Sequence, residues 1–168
     1  MLTILAKLLK ALNSETSAWA LALAIVLGMF MGITPLWRIH NLIILLAALI
    51  FRVNLSLFIV SFAIFSGIAY LLDPWFHSIG LSLLQASSWQ GIYEAVYATA
   101  LGRLSMFNHT ITLGSFVVAL IAAPILAAVS YWVVVNYRKR IQAKIMKFRL
   151  VQVIRGSRFW QIYMDLRG

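Results

Sequence analysis

The sequence predicts an all-α fold, a polytopic transmembrane helical bundle. It is built from a short-helix hairpin, two firm spans and interfacial amphipathic helices. Three observations carry that expectation. First, 63% of the 168 residues are hydrophobic and the mean hydropathy is +0.95, whereas soluble domains sit near about 45–50% apolar. A soluble fold of this size has nowhere to hide the excess. Second, Leu55–Leu72 and Thr110–Asn136 are apolar runs close to or beyond the roughly 20 residues that cross a bilayer. Third, Lys and Arg number 14 against 4 acidic residues, for a net charge of +10. Most of these charges lie beside the first and last apolar runs, where the positive-inside rule explains them.

Taken in order, the chain reads as one membrane domain. Residues 1–13 form an interfacial helix, with Leu2, Leu5, Leu9 and Leu12 on one face and Lys7 and Lys10 off it. Those lysines precede an apolar run, as in a signal peptide, but no small-residue cleavage pattern follows and no cleaved signal is expected. Asn13–Ser17 breaks that helix and supplies N-caps for the next. Residues 18–51 form the short-helix hairpin: Ala18–Ile33 ends at Pro35, and Ile39–Phe51 follows. Each arm is shorter than a comfortable span, so the segment either re-enters the membrane or crosses it twice as thin spans. Arg52-Val53-Asn54 returns the chain to an interface.

Residues 55–72 are a span stopped by Asp73-Pro74. Residues 75–108 are less apolar and rich in Trp, Tyr, Ser and Gly. There Trp89, Tyr93, Val96, Tyr97, Ala100 and Leu104 follow helical spacing, as in an interfacial amphipathic helix. Residues 110–136 are the second span, containing Pro124, and 137–168 are a basic cytoplasmic tail. The tail and the first lysines place both termini in the cytoplasm and residues 75–108 on the far side.

Small residues recur four apart in three stripes. Ala20, Ala24, Gly28 and Gly32 form the first, Ser115, Ala119, Ala123 and Ala127 the second, and Ala63 with Gly67 a shorter third. Small residues let helix backbones approach in lipid. The bland reading is packing within the chain, and the sharper one is a face for a second chain.

The best polar cluster is Arg38, His40 and Asn41 at the hairpin tip with Arg52 and Asn54 at its exit. Ionisable groups at membrane depth cost about 2.5–3.5 kcal/mol each on the insertion scale. They are expected to line a wet pocket that takes an anionic or polar group such as a lipid headgroup. The competing reading is that the arginines snorkel and the amides cap helix ends. Arg138, Lys139, Arg140, Lys144 and Lys147 make a basic amphipathic segment suited to anionic lipid, or serve only as a topogenic signal. Phe159, Ile162, Tyr163 and Leu166 offer a further small apolar face.

Other chemistries find little support. No cysteine is present, which excludes disulfides and thiolate sites. His40, His77 and His109 form no metal-spaced pair, and HExxH, GxSxG and P-loop patterns are absent. Four scattered carboxylates make a paired acid/base site hard to build. No nucleic-acid reader motif accompanies the positive charge.

The stretch LALAIVLGMFMGITPLWRIHNLIILLAALIFRVNLSLF carries Gly28, Gly32, Pro35, His40, Asn41, Arg52 and Asn54. In these residues it resembles the bacterial membrane family known as domain of unknown function twenty sixty-two. FSGIAYLLDPWFHSIG and LSMFNHT extend the resemblance to a small subfamily of Gram-negative bacteria. The resemblance implies the inner membrane and supplies no activity. Relatives fused to or encoded beside envelope glycosyltransferases imply an accessory envelope role.

The expected function is thus a non-enzymatic inner-membrane subunit or scaffold. It packs against a larger cell-envelope protein, in a setting that includes lipid or glycolipid transport or assembly. The alternative is a small transporter or channel using the Arg38/His40/Asn41 hairpin. Membrane lipids and an envelope protein are the expected partners, with a homo-oligomer as a further option. No nucleic acid, metal or cofactor is expected.

Overall fold

The structure, a computed structural model, describes residues 17–141, with side chains described to residue 139. The expected interfacial helix of residues 1–13 and the tail contacts of Lys144 and Lys147 lie outside the described residues, as does the side chain of Arg140. Among the described residues every regular element is helical.

Helix α1 spans Ala18–Ile33. The Ser17 side chain caps it by accepting from the Ala20 N–H at 3.1 Å. It stops where Pro35 pushes Thr34 into extended backbone (ψ 149°). Helix α2, Ile39–Ile50, ends in a left-handed turn at Arg52, where φ is 47°. The Val53 N–H donates to the Ala48 carbonyl and the Arg52 N–H to the Leu49 carbonyl, both at 3.1 Å. This is a Schellman ending with arginine where glycine is usual.

Helix α3 runs from Leu55 to Gln85, capped by the Asn54 side chain accepting from the Leu57 N–H at 3.0 Å. This corrects the expectation that Asp73-Pro74 ends the span. Proline removes one backbone donor, and here it sits on an exposed side of the helix. Beyond it Phe76 (2% exposed) and Gly80 are buried, and that packing keeps the segment helical. The region expected as one amphipathic helix is likewise broken. A 3-10 turn at Ser87–Trp89 leads to α4 (Gln90–Ala98) and α5 (Ala100–Ser105). Thr99 is extended between them, and its hydroxyl accepts from the Gly102 N–H at 2.9 Å. A capping threonine thus overrides the hydrophobic period. Helix α6, Thr110–Asn136, contains Pro124 and continues into a π-helical turn, Tyr137–Ile141.

Helices α1, α3 and α6 pack against one another, and α2 lies mainly on α1. A Cβ built on Gly28 would lie 2.6 Å from both the Phe58 carbonyl oxygen and Ser61 Cβ, and one on Gly32 2.7 Å from the Phe62 carbonyl. The order of these contacts makes α1 and α3 parallel. The Ser61 hydroxyl seals the approach by donating to the Ile25 carbonyl at 2.7 Å. A Cβ on Gly80 would strike the Thr110 carbonyl and one on Gly114 the Phe76 carbonyl, so α3 and α6 are antiparallel and meet backbone to backbone. Ala63 is exposed and Gly67 has nothing within 4 Å. The third small stripe, expected to serve close packing, therefore faces outward from this chain.

Two apolar clusters form the core. Leu21, Ala24, Ala48, Val53, Leu57, Phe58 and Val134 lie at one end, hereafter the near end. Met29, Ile33, Ala69, Phe76 and Ala119 lie toward the other. The start of α1, the end of α2, the start of α3 and the end of α6 therefore share the near end. The hairpin tip, the end of α3, α4, α5 and the start of α6 share the far end.

Candidate functional site

The five polar hairpin residues do not form one site. Arg52 and Asn54 belong to the near end, beyond the C-terminus of α2, whereas Arg38, His40 and Asn41 lie at its N-terminus, and the 12-residue helix is about 18 Å long at 1.5 Å per residue. Asn54 is spent capping α3. Asn41, only 3% exposed, clamps the turn: its Oδ1 accepts from the Thr34 hydroxyl at 2.9 Å. Its Nδ2 donates to the Pro35 and Leu36 carbonyls at 2.8 and 3.2 Å. These bonds satisfy the backbone that Pro35 leaves without a helical partner. Asn41 is thus a structural clamp, not a pocket wall.

Arg38 reaches across to α6. Its Nε donates to Thr112 Oγ1 at 3.2 Å, and its Nη1 to the Trp37 carbonyl at 3.2 Å and to Met106 Sδ at 2.9 Å. It ties the hairpin tip to the α5–α6 connection. His77 Nδ1 lies 2.8 Å from Thr110 Oγ1, a second polar tie at this level.

Beside these ties is a cavity of about 300 Å³. His40, Ile92, Tyr93, Val96, Phe107 and Phe116 line it, with Thr112 and Leu113 of α6 and Ser105 completing the wall. Arg38 and Asn41 are not among its lining residues, which corrects the expected wet pocket of Arg38, His40 and Asn41: His40 alone of the three contributes, and the chamber is apolar. The His40 ring packs on Phe116 with centroids 5.4 Å apart, and its buried Nε2 has no hydrogen-bond partner. Helix α4 roofs the chamber without a single buried residue. It is held by Tyr93, whose hydroxyl donates to the Leu83 carbonyl at 3.2 Å, and by Tyr93 and Tyr97 packing on Phe107.

Of the small stripes, Ala24, Gly28 and Gly32 are buried with Ala20 at the margin, and Ser115 and Ala119 are buried with Ala123 and Ala127 half-buried. Arg138 and Lys139 sit at the near end, in the turn that follows α6. Among the described residues no group of three His, Asp or Glu side chains is placed to hold a metal ion.

Sequence reasoning pointed to Tyr93 and Val96 as one face of a helix but missed Ile92, Phe107, Leu113 and Phe116. Nothing in the sequence shows that α4 folds back over the hairpin tip. The aromatic density of residues 89–107 was the available signal.

The described residues define an all-helical fold with two helices among them long and apolar enough to cross a membrane, Leu55–Gln85 and the helix beginning at Thr110. The chain belongs to the bacterial family DUF2062, described as an uncharacterized protein conserved in bacteria, whose profile matches residues 3–142. No curated protein and no solved structure matches it.

Proposed function

We propose that the protein is a multi-pass subunit of the bacterial inner membrane, non-enzymatic, with its near end in the cytoplasm and its chamber at the far interface. It serves a larger cell-envelope assembly. The observation that carries this reading is the level of the aromatic side chains. Trp19, stacked on Tyr131 at 4.5 Å, and Trp132 mark the near end. Trp37 (91% exposed) and Trp75 (71%) mark the level of the hairpin tip. Thr112, which Arg38 touches, lies about twenty residues before Trp132 on α6, or about 30 Å at 1.5 Å per residue. That matches the hydrocarbon thickness of a bilayer, and tryptophan belongs at its two interfaces.

The outward surfaces between those levels are apolar: Ile64, Ile68, Leu71, Leu120, Ile121, Ile125 and Val129 are all exposed. Charge supports the orientation. The near end carries three basic residues, Arg52, Arg138 and Lys139, against Arg38 and Arg103 at the far end, a bias in the direction of the positive-inside rule. On this reading α1 and α2 are thin spans, and Arg38 sits at an interface and not at mid-membrane. The outward Ala63/Gly67 stripe is where a transmembrane helix of the larger partner packs.

Because the chain has no cysteine, single-cysteine variants test the topology cleanly. Ser87→Cys is expected to react with an impermeant thiol reagent in intact cells, and Ser157→Cys only after permeabilisation. The reverse pattern contradicts the orientation.

A further inference from the structure

A second, more open recess of about 530 Å³ adjoins the chamber. The two share Tyr93 and Phe107 as a common wall. The chamber is apolar, whereas the recess carries Gln90, Glu94, Arg103 and Asn108. Arg103 is held by the carbonyls at the end of α4, its Nη1 donating to Tyr97 at 3.1 Å and Ala98 at 2.8 Å. Glu94 is exposed and makes no ion pair with Arg103 or hydrogen bond with any other described residue. One guanidinium and one carboxylate thus line the same recess without neutralising each other.

We propose that chamber and recess form one site for a zwitterionic membrane glycerophospholipid, with one acyl chain in the chamber and a phosphate–ammonium headgroup in the recess. This rests on the placement of the chamber at a membrane interface. Arginine matches phosphate geometry and strengthens it by charge-assisted hydrogen bonds. The Glu94 carboxylate meets the ammonium group. A headgroup with a phosphate alone leaves Glu94 facing a like charge, so the recess discriminates against anionic lipids. The volume of the chamber suits a small apolar ligand, and a chain within it exchanges one apolar medium for another. The chamber thus seats the chain without distinguishing two lipids that carry the same chains, because lipid tails are alike in their apolar character. Selectivity must then come from the headgroup, and the headgroup is what the experiment varies.

The full-length protein, stripped of lipid in detergent, is offered an equimolar mixture of phosphatidylethanolamine and phosphatidylglycerol with the same chains. Native mass spectrometry counts what is retained. The expected result is about tenfold preference for the ethanolamine lipid, equivalent to about 1.4 kcal/mol. Glu94→Gln brings the preference to near parity, and Val96→Trp, which fills the chamber, removes retention of both lipids. Ile92→Phe fills the same wall and is read if Val96→Trp does not accumulate.

Equal retention by the parent, an unchanged preference in Glu94→Gln, or full retention by the filled chamber each overturns the proposal. Displacement of the lipid by free phosphoethanolamine assigns the recess to a soluble zwitterion and overturns it as well. The thiol-labelling pattern is scored on the same preparations. Correct topology without headgroup preference removes this proposal alone. Preference with reversed labelling removes the orientation alone.

Discussion

The two faces of α3 carry small residues and use them in opposite ways. The inner face meets Gly28 at Phe58 and Ser61, Gly32 at Phe62 and Phe65, and Gly114 at Phe76, with carbonyls and Cβ atoms where an added Cβ would go. The outer face presents Ala63 and Gly67 to open space. Four-residue spacing therefore states that close approach is possible. It does not state whose backbone approaches. In lipid, where apolar area alone does not drive helices together, close approach is the main source of packing energy.

Substitutions on the two faces sharpen this contrast. The largest effect is expected at the backbone-to-backbone crossing. Gly114→Leu places a side chain where the Phe76 carbonyl lies, and neither backbone can yield without moving a helix. Overpacking costs about 1–3 kcal/mol where side chains can shift, and more where they cannot. The variant is expected not to accumulate in the membrane fraction. Asn41→Ala comes next, since it removes three hydrogen bonds from the hairpin turn and leaves the Pro35 carbonyl without its partner, while the Leu36 carbonyl keeps the Arg38 N–H. A loss of about 1–3 kcal/mol per buried group left unpaired predicts a clearly lowered melting temperature in detergent.

Arg52→Gly is expected to act the other way. The left-handed backbone there (φ 47°) strains any residue with a Cβ, and glycine relieves about 1 kcal/mol. A raised melting temperature together with misorientation in cells would show that this arginine is present for its charge at the near end. The smallest effect on stability belongs to the outer face. Gly67→Leu meets nothing within 4 Å and should melt with the parent. Yet it is expected to lose any envelope protein that co-purifies in mild detergent. A lowered melting temperature would mean that the outer face is packed within the chain after all.

The sequence made some elements legible because their signals are local. Ala18–Ile33 and Thr110–Asn136 are read from apolar runs with a capping serine before one and an asparagine at the end of the other, and the helices coincide with those bounds. The small stripe of α1 is likewise legible as a packing face. What failed depends on contacts distant in sequence. Pro74 looks like a stop until Phe76 and Gly80 are seen buried. Trp89 to Leu104 keeps a helical period that the Thr99 cap interrupts.

The candidate site divides in the same way. Arg38, His40 and Asn41 stand out as costly polar groups, but the sequence does not show which is clamp, which is tie and which is wall. That division is set by Pro35 and Leu36 carbonyls beside Asn41, Thr112 beside Arg38 and Phe116 beside His40.

The account turns on where the hairpin tip lies, because that decides whether the chamber opens at an interface or is closed off at mid-membrane. Trp37 is 91% exposed at the tip, so a Trp37→Cys variant reports the position directly. Labelled with an impermeant thiol reagent in intact cells, it is expected to react from the same side as Ser87→Cys. Protection from both sides of the membrane would place the tip within the hydrocarbon, make the hairpin re-entrant and contradict the account.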